Sequence, residues 1–491
     1  MIDISWKPNK SFSIPLYKQI VNYIIEEIST GNFAIGTKLP PQRKLSEMFE
    51  VNRSTIVEAL DELKSRGFIE GKTGGGTTIV NNTWSLLSST SKLNWENYID
   101  GSIHKPNLRT IQMVNKLEYE KDIIRLGTGE PGPELFPQDM MNKILDKCSN
   151  KIKSLGYLEA KGLLELRKVI SQYLKAYNIE VSSSSILIVS GALQALQLIS
   201  LSILPPGSKI LMENPSYLKS LHIFQSLGMN LVGLRMDNKG IIPNEIIRNA
   251  GKKVNTILYT IPTFHNPTGA VMTEDRRIEL LDTCKYCRIP IIEDDVYREL
   301  WIDEIPPAPL KARDQNGNVL YLGSISKSLA PGFRIGWVAG PEHVIERLSD
   351  IKMQTDYGSS SISQLMITEW IGSGLYTQHL EKLRIQLKFR RDKTLEILNE
   401  SFRDIATWNI PKGGFYIWLK LKYNISLNKL FLAAAKEKIL INPGNIYDFY
   451  NSQNLRISYS YAEISELSIG LKRLSDIIRT LVKQETTVKR F

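Results

Sequence analysis

The chain has 491 residues, of which 42% are hydrophobic and 23% charged, and it contains three cysteines. That balance supports sizeable cores, implies about three domains at ~150 residues each, and excludes a disordered, collagen-like or disulfide-framework chain. The formal net charge of +11 points to an acidic partner such as nucleic acid.

The surplus does not sit at the N-terminus. Residues 1–82 carry 10 basic and 9 acidic side chains, so a nucleic-acid role there must rest on pattern rather than total charge. Met1 to Lys10 has no apolar run, so no signal peptide is expected. Cys148, Cys284 and Cys287 fit a reducing cytoplasm. The most lipid-like stretch, Ile186 to Leu204, is broken by Ser190, Gly191, Gln194 and Gln197. It reads as a buried strand followed by a helix, and no membrane association is expected.

Tyr17, Ile20, Val21, Ile24, Ile25 and Ile28 recur at helical spacing, with Gly31 as a stop. A second helix starts at Pro41 and presents Leu45, Met48 and Phe49. Val51-Asn52 makes a corner, and a third helix from Arg53 turns Ile56, Val57, Leu60 and Leu63 inward before ending at Gly67. Two short strands follow, Phe68–Glu70 and Thr77–Val80, joined by the run from Gly71 to Gly76. A helix that enters the major groove offers its N-terminal side chains to base edges and phosphates. Here those are Asn52, Arg53, Ser54 and Thr55, with Arg43 placed to clamp the backbone and Gly74 and Gly75 at a hairpin tip that can approach DNA closely. The glycines lie between strands and lack a GK[ST] ending, so a phosphate loop is disfavoured.

The stretch GTKLPPQRKLSEMFEVNRSTIVEALDELKSRGFIEGKTGGGTTIV resembles the winged helix of the GntR transcription-regulator family. The resemblance implies an α+β winged helix-turn-helix over residues 1–81 that binds double-stranded promoter DNA. Pro41 and Asn52 stand where that family usually has Ser or Thr, which leaves base preference open.

Residues 82–121, rich in Ser and Asn, read as a linker, with Trp84, Trp95 and Tyr98 as docking points.

Beyond residue 122, short apolar runs alternate with helical patterns. Ile186–Val189, Ile210–Met212, Thr256–Tyr259, Ile289–Ile292 and Val319–Leu322 suit buried, mainly parallel strands of an α/β sheet. Function in such folds gathers at strand ends. Lys327 follows Gly323-Ser324-Ile325-Ser326, and Arg334 stands seven residues on. An amine that can bond an aldehyde and a guanidinium that can fork onto phosphate suit a phosphate-bearing aldehyde. Asp294 ends a strand, where a carboxylate could keep a pyridine nitrogen protonated. Asn266 lies in a turn, Ser190-Gly191-Ala192-Leu193 opens a helix whose N-terminus favours phosphate, and Tyr217 is placed to stack on a ring.

Together these pieces, from IIRLGTGEPGPELFP to LRISYSYA, resemble the fold-type-I, pyridoxal-phosphate-dependent aminotransferases. The resemblance implies an α/β domain over 122–491, with a large parallel or mixed sheet and a smaller domain, that binds pyridoxal 5'-phosphate. It makes Lys327 the lysine that joins the cofactor and Asp294 the partner of its pyridine nitrogen. Asn266 and Tyr297 contact O3′, and Tyr217 stacks. Ser324, Arg334 and the backbone of Ala192 and Leu193 hold the phosphate. Arg456 grips a ligand carboxylate, and Tyr157 reaches the phosphate of a neighbouring subunit in a homodimer. Ala192 replaces a hydroxyl common in relatives, which predicts slightly weaker cofactor binding.

Other features read as structural. The lone Cys284-x-x-Cys287 pair suits core packing, the histidines show no metal spacing, and Asp295 faces away from its neighbour Asp294. The basic run Lys382, Arg384, Lys388, Arg390, Arg391 and Lys393 reads as a solvated helix face, with a second DNA-contact surface as the alternative.

The order of modules resembles the MocR group of bacterial regulators. It implies a cytoplasmic transcription regulator that senses pyridoxal phosphate, an amino acid or a related amine. The competing expectation is a working aminotransferase carrying a DNA-binding module.

Overall fold

A computed structural model describes residues 4, 6–12, 14–29, 32–72, 76–81, 102, 107–152, 156–251, 255–450 and 452–488. The chain divides into two units, Met1–Ser102 and Ile103–Phe491.

The first unit packs helices α1 (Leu16–Ser29), α2 (Gln42–Phe49) and α3 (Arg53–Ser65) around one apolar centre. Ile20, Val21, Ile24 and Ile28 of α1 meet Leu45, Phe49, Ile56, Ala59, Leu60 and Leu63, as their helical spacing requires. Val57 departs from expectation and is half-buried, because the inward stripe passes through Ala59 instead. Trp6 stacks on Tyr23 with ring centroids 4.6 Å apart. The wing is the antiparallel pair β1 (Ile69–Lys72) and β2 (Gly76–Ile79), in register from Ile69 opposite Ile79 to Lys72 opposite Gly76. Gly31, Gly74 and Gly75 lie outside the described residues.

The second unit opens with α4 (Arg109–Leu117), inside the stretch expected to be linker. Its apolar residues Ile111, Val114 and Leu117 recur every three positions, a stripe too short to stand out in polar surroundings. The five expected strands form, although the ends of all but Ile186–Val189 shift, and Ile289–Ile292 becomes Ile291–Asp294. The large sheet comprises β3 (Ile186–Val189), β4 (Lys209–Asn214), β5 (Asn230–Asp237), β6 (Gly240–Ile241), β7 (Thr256–Thr260), β8 (Ile291–Asp294), β9 (Val319–Ser324) and β10 (Gly336–Ala339). Its order is β3-β10-β9-β8-β7-β4-β5-β6. The run from β5 to β9 is parallel, and β10 lies antiparallel between β9 and β3. The carboxyl ends of β3, β4, β7, β8 and β9 therefore share one edge. Helix α5 (Ala192–Ser202) leaves β3 at that edge.

A smaller sheet follows the long helix α6 (Leu375–Ser401). It orders β11 (Ala406–Trp408), β12 (Tyr416–Leu421), β13 (Asn442–Pro443) and β14 (Asn454–Ser458) as β11-β12-β14-β13. Helix α7 (Ile464–Val488) packs against α6. No helix among the described residues is long and apolar enough to cross a membrane. Ile186 to Leu204 holds β3 and then α5.

The basic run on α6 is a solvated face only in part: Lys382 and Lys388 are exposed, whereas Arg390 and Arg391 are buried. Arg384 lies 4.1 Å from the Trp301 ring centroid and donates to Glu299 at 2.7 Å. Lys388 and Arg391 pair with Asp303, and Arg390 is buried against Glu134 and the Ala462 carbonyl. Lys393 pairs with Glu396 at 2.7 Å. Spacing showed the charges but not the partners of Arg384, Lys388, Arg390 and Arg391 that arrive from distant chain segments. Asp295 is buried and accepts from Arg298, while Cys284 is buried in the core.

Candidate functional site

In the first unit, recognition groups cluster at the start of α3. Asn52, Arg53 and Ser54 are exposed and Thr55 is half-buried. No side chain caps α3, so its first amides are open to an anion. Arg53 donates to Gln42 at 3.4 Å, which joins it to the start of α2. Arg43, with its side chain 92% exposed, stands one residue further along α2.

In the second unit, the strand ends surround a cavity of about 480 Å³, a size typical of small-molecule sites. Lys327, Asp294, Asn266, Tyr297, Tyr217, Ser324, Arg334, Ala192, Leu193 and Arg456 all line it. Each reaches it through the fold. Lys327 comes from the turn after β9, Asp294 ends β8, Asn266 follows β7, and Tyr217 follows β4. Arg456 comes from β14, opposite Asn442 of β13, so the small sheet supplies the far wall.

The groups are held by hydrogen bonds that leave selected atoms free. Tyr259 OH donates to Asp294 Oδ2 at 2.7 Å, while Asp294 Oδ1 has no partner among the described residues. Burial pushes this carboxyl up to about 6, partly offset by the bond from Tyr259. A cation placed against it would restore ionisation. Asn266 Nδ2 donates to Tyr297 OH at 3.2 Å, and Asn266 Oδ1 accepts from Arg456 Nη1 at 2.9 Å. Arg456 also donates to Gly127 O at 2.8 Å and lies over the rings of Tyr416 and Tyr447, 4.3 and 4.9 Å from their centroids. Lys327 Nζ donates to Gly129 O at 2.6 Å.

An anion seat lies beside them. Helix α5 begins at Ala192 with no side-chain cap. Gly191 turns into it at φ +90°, a conformation that calls for glycine, and a Cβ there would stand 2.9 Å from Arg334 Nη2 and push that guanidinium aside. Arg334 donates to Ser190 O at 2.6 Å across the helix start. Ser324 Oγ donates to Ile335 O at 3.1 Å and accepts from Ser326 N at the same distance. Open amides, a guanidinium and hydroxyls therefore converge.

Both units match known families. Residues 121–474 match the family Aminotransferase class I and II, and residues 16–79 match the bacterial regulatory proteins, gntR family. The uncharacterized HTH-type transcriptional regulator YdfD of Bacillus subtilis is 50% identical over 475 residues, 97% of this chain and 98% of that protein. This is a GntR-family transcription regulator of MocR architecture, with an aminotransferase class I and II domain. A second relative of this regulator, the HTH-type transcriptional regulator NorG of Staphylococcus aureus, is 35% identical over 445 residues, 90% of this chain and 99% of that protein. The multiple substrate aminotransferase of Thermococcus profundus superposes with a TM-score of 0.74 at 30% identity, covering 80% of the regulator and 100% of that chain.

Tyr157 does not line the cavity of its own chain. It is 87% exposed and touches Tyr357, with ring centroids 5.2 Å apart. Several cavity groups escaped the sequence reading. Tyr416 and Tyr447 sit in or beside strands, where an aromatic residue reads as core. Glu118 and Tyr119 follow a helix taken for linker. Glu130 was legible, since it lies inside the LGTGEPGP stretch already singled out.

Proposed function

We propose that this regulator binds pyridoxal 5'-phosphate in the cavity and that an amino compound arriving there changes how its winged helices occupy promoter DNA. The observation that carries this reading is the convergence of Lys327, the open Oδ1 of buried Asp294 and the uncapped start of α5 on one cavity. The residues fit the cofactor. Asp294 offers an acceptor to a pyridinium nitrogen, and Asn266 and Tyr297 offer donors to O3′. The Ala192 and Leu193 amides, Arg334 and Ser324 suit the phosphate. Tyr217 would stack on the ring, and Tyr157 would serve the phosphate of a partner subunit in a homodimer. Bound there, the cofactor supplies an electrophilic carbon joined to a ring that withdraws electrons.

The protein's own groups set the rest. Lys327 offers the amine and, when displaced, a base. Arg456 orients a ligand carboxylate through its free Nε. Residues 82–121 connect reader to body, and the winged helix spans 1–81. Ligand can move the DNA-binding equilibrium only by binding one arrangement better than another.

An absorption titration of the purified full chain with pyridoxal phosphate and a panel of amino compounds tests this. A persistent shift with one compound and no oxo acid released supports a sensor. Release of oxo acid with conversion to the pyridoxamine form makes the body a working aminotransferase. The absence of any lysine-bound cofactor band rejects the reading.

A further inference from the structure

The assignments above leave two carboxylates on the cavity wall without a role. Glu118, just beyond α4, accepts from Thr128 Oγ1 at 3.0 Å. The Glu130 carbonyl accepts from Ser460 Oγ at 2.8 Å, but its carboxylate has no hydrogen-bond or ion-pair partner among the described residues. Burial holds its carboxyl above the usual range, Lys327 pulls the other way, and Glu118 adds to the upward push. Two cations act on Glu130, and both are engaged elsewhere. Lys327 is committed to the cofactor in the proposed function. Arg125 donates to Tyr461 OH at 2.7 Å and lies 4.7 Å from the centroid of that ring.

An independent feature points to a ligand on the same wall. Arg456 is only 6% exposed, yet its Nε has no partner. One short stretch of backbone ties these groups together. Gly127 O accepts from Arg456, Thr128 donates to Glu118, Gly129 O accepts from Lys327, and Glu130 comes next. Those residues span at most about 11 Å of chain, so one small molecule can reach Arg456 and both glutamates. A neutral or acidic ligand would leave the two partly buried carboxylates with no directly paired cation, only the more distant charges of Lys327 and Arg125 acting on Glu130, a costly arrangement.

We infer that the cavity selects a basic amino acid, held by its carboxylate at Arg456 and by its distal ammonium at Glu118 and Glu130. The inference rests on the proposed function and names its ligand class. It also gives the ligand a handle on residues 82–121, the stretch proposed to connect reader and body, because Glu118 lies within it.

The test is calorimetric titration of the full chain loaded with pyridoxal phosphate, using L-ornithine and its uncharged analogue L-norvaline. A charge-assisted hydrogen bond predicts that ornithine binds about tenfold tighter or more. Glu118→Gln and Glu130→Gln should each bring ornithine toward the norvaline value while norvaline itself holds, which shows that the variant sites remain intact. Equal binding of the two ligands, or no binding of ornithine, overturns the selection by charge. In the first case, a shifted cofactor band with both ligands leaves the proposed function standing. Loss of the cofactor band in the unmutated protein overturns both.

Discussion

In the first unit the candidate DNA-contact groups stand in water. Arg43, Asn52, Arg53 and Ser54 are exposed and pack against almost nothing, while the core beneath them is made by other residues. In the second unit the corresponding groups are sunk at strand ends. Asp294 is 5% exposed, and each polar atom there is either bonded or conspicuously free. A polyanion reader needs accessible charge on a rigid helix start, and its side chains cost the fold little. A small-molecule site needs desolvated groups whose free valences the ligand completes, and those groups lower stability until it arrives. Changes to the reader should therefore alter affinity without altering stability, whereas changes to the cavity should alter both.

The largest expected effect is at Lys327. Lys327→Ala should abolish the lysine-bound cofactor band and every ligand-dependent change in promoter occupancy, read by spectrum and footprint. A footprint that still responds to ligand would break the contrast.

Glu213 is next. Buried beside the cavity, it accepts from Ile261 N at 3.0 Å, and burial pushes its carboxyl up to about 7 from 4.5. A folded pKa above the unfolded one gives stability that is complete below pH 4.5 and lost as pH rises through 7. His265, held near 3 by burial, works in the opposite sense as pH falls below 6.5. Comparing Glu213→Gln with the unmutated chain isolates the glutamate. The variant should lack that decline between pH 4.5 and 7 and be more stable than the unmutated chain by up to about a few kcal/mol at pH 8 in denaturant melts of the cofactor-free protein.

At the reader, Arg53→Ala should cost about 1–3 kcal/mol of DNA affinity if it contacts a base, or reduce the salt slope by about one if it contacts phosphate. Fluorescence anisotropy across a salt series separates these outcomes, and the melting temperature should not move. The smallest effect is a gain. Ala192→Ser restores a hydroxyl at the anion seat and should tighten cofactor binding by about 0.5–1.5 kcal/mol, measured by equilibrium dialysis.

How much of this was legible depended on where partners came from. Ile186–Val189 was read to the residue because a strand buried on both faces must be apolar throughout. Asp294 was legible as a cavity residue because it ends a strand, and Lys327 and Asn266 because they lie in turns that follow strands, where local pattern and chemistry coincide. The wing and the corner at Val51-Asn52 were legible for the same reason. Val57 was misplaced because one position on a helix turns a side chain by ~100°, so a neighbouring alanine took the inward place. Helix α4 was missed because its stripe is brief and its burial is supplied by distant residues. The pairing of Arg384, Arg390 and Arg391 with Glu299, Glu134 and Asp303 was illegible for that reason too. Tyr259 was read as core, and it is buried, but its hydroxyl also orients Asp294.

The central claim is that the cavity and the reader are coupled. The direct measurement follows cofactor absorbance and the anisotropy of labelled operator DNA in one cuvette, while an amino compound is titrated into the full chain. Coupling predicts that both signals change with a common midpoint. An absorbance shift that saturates while anisotropy stays flat would contradict it.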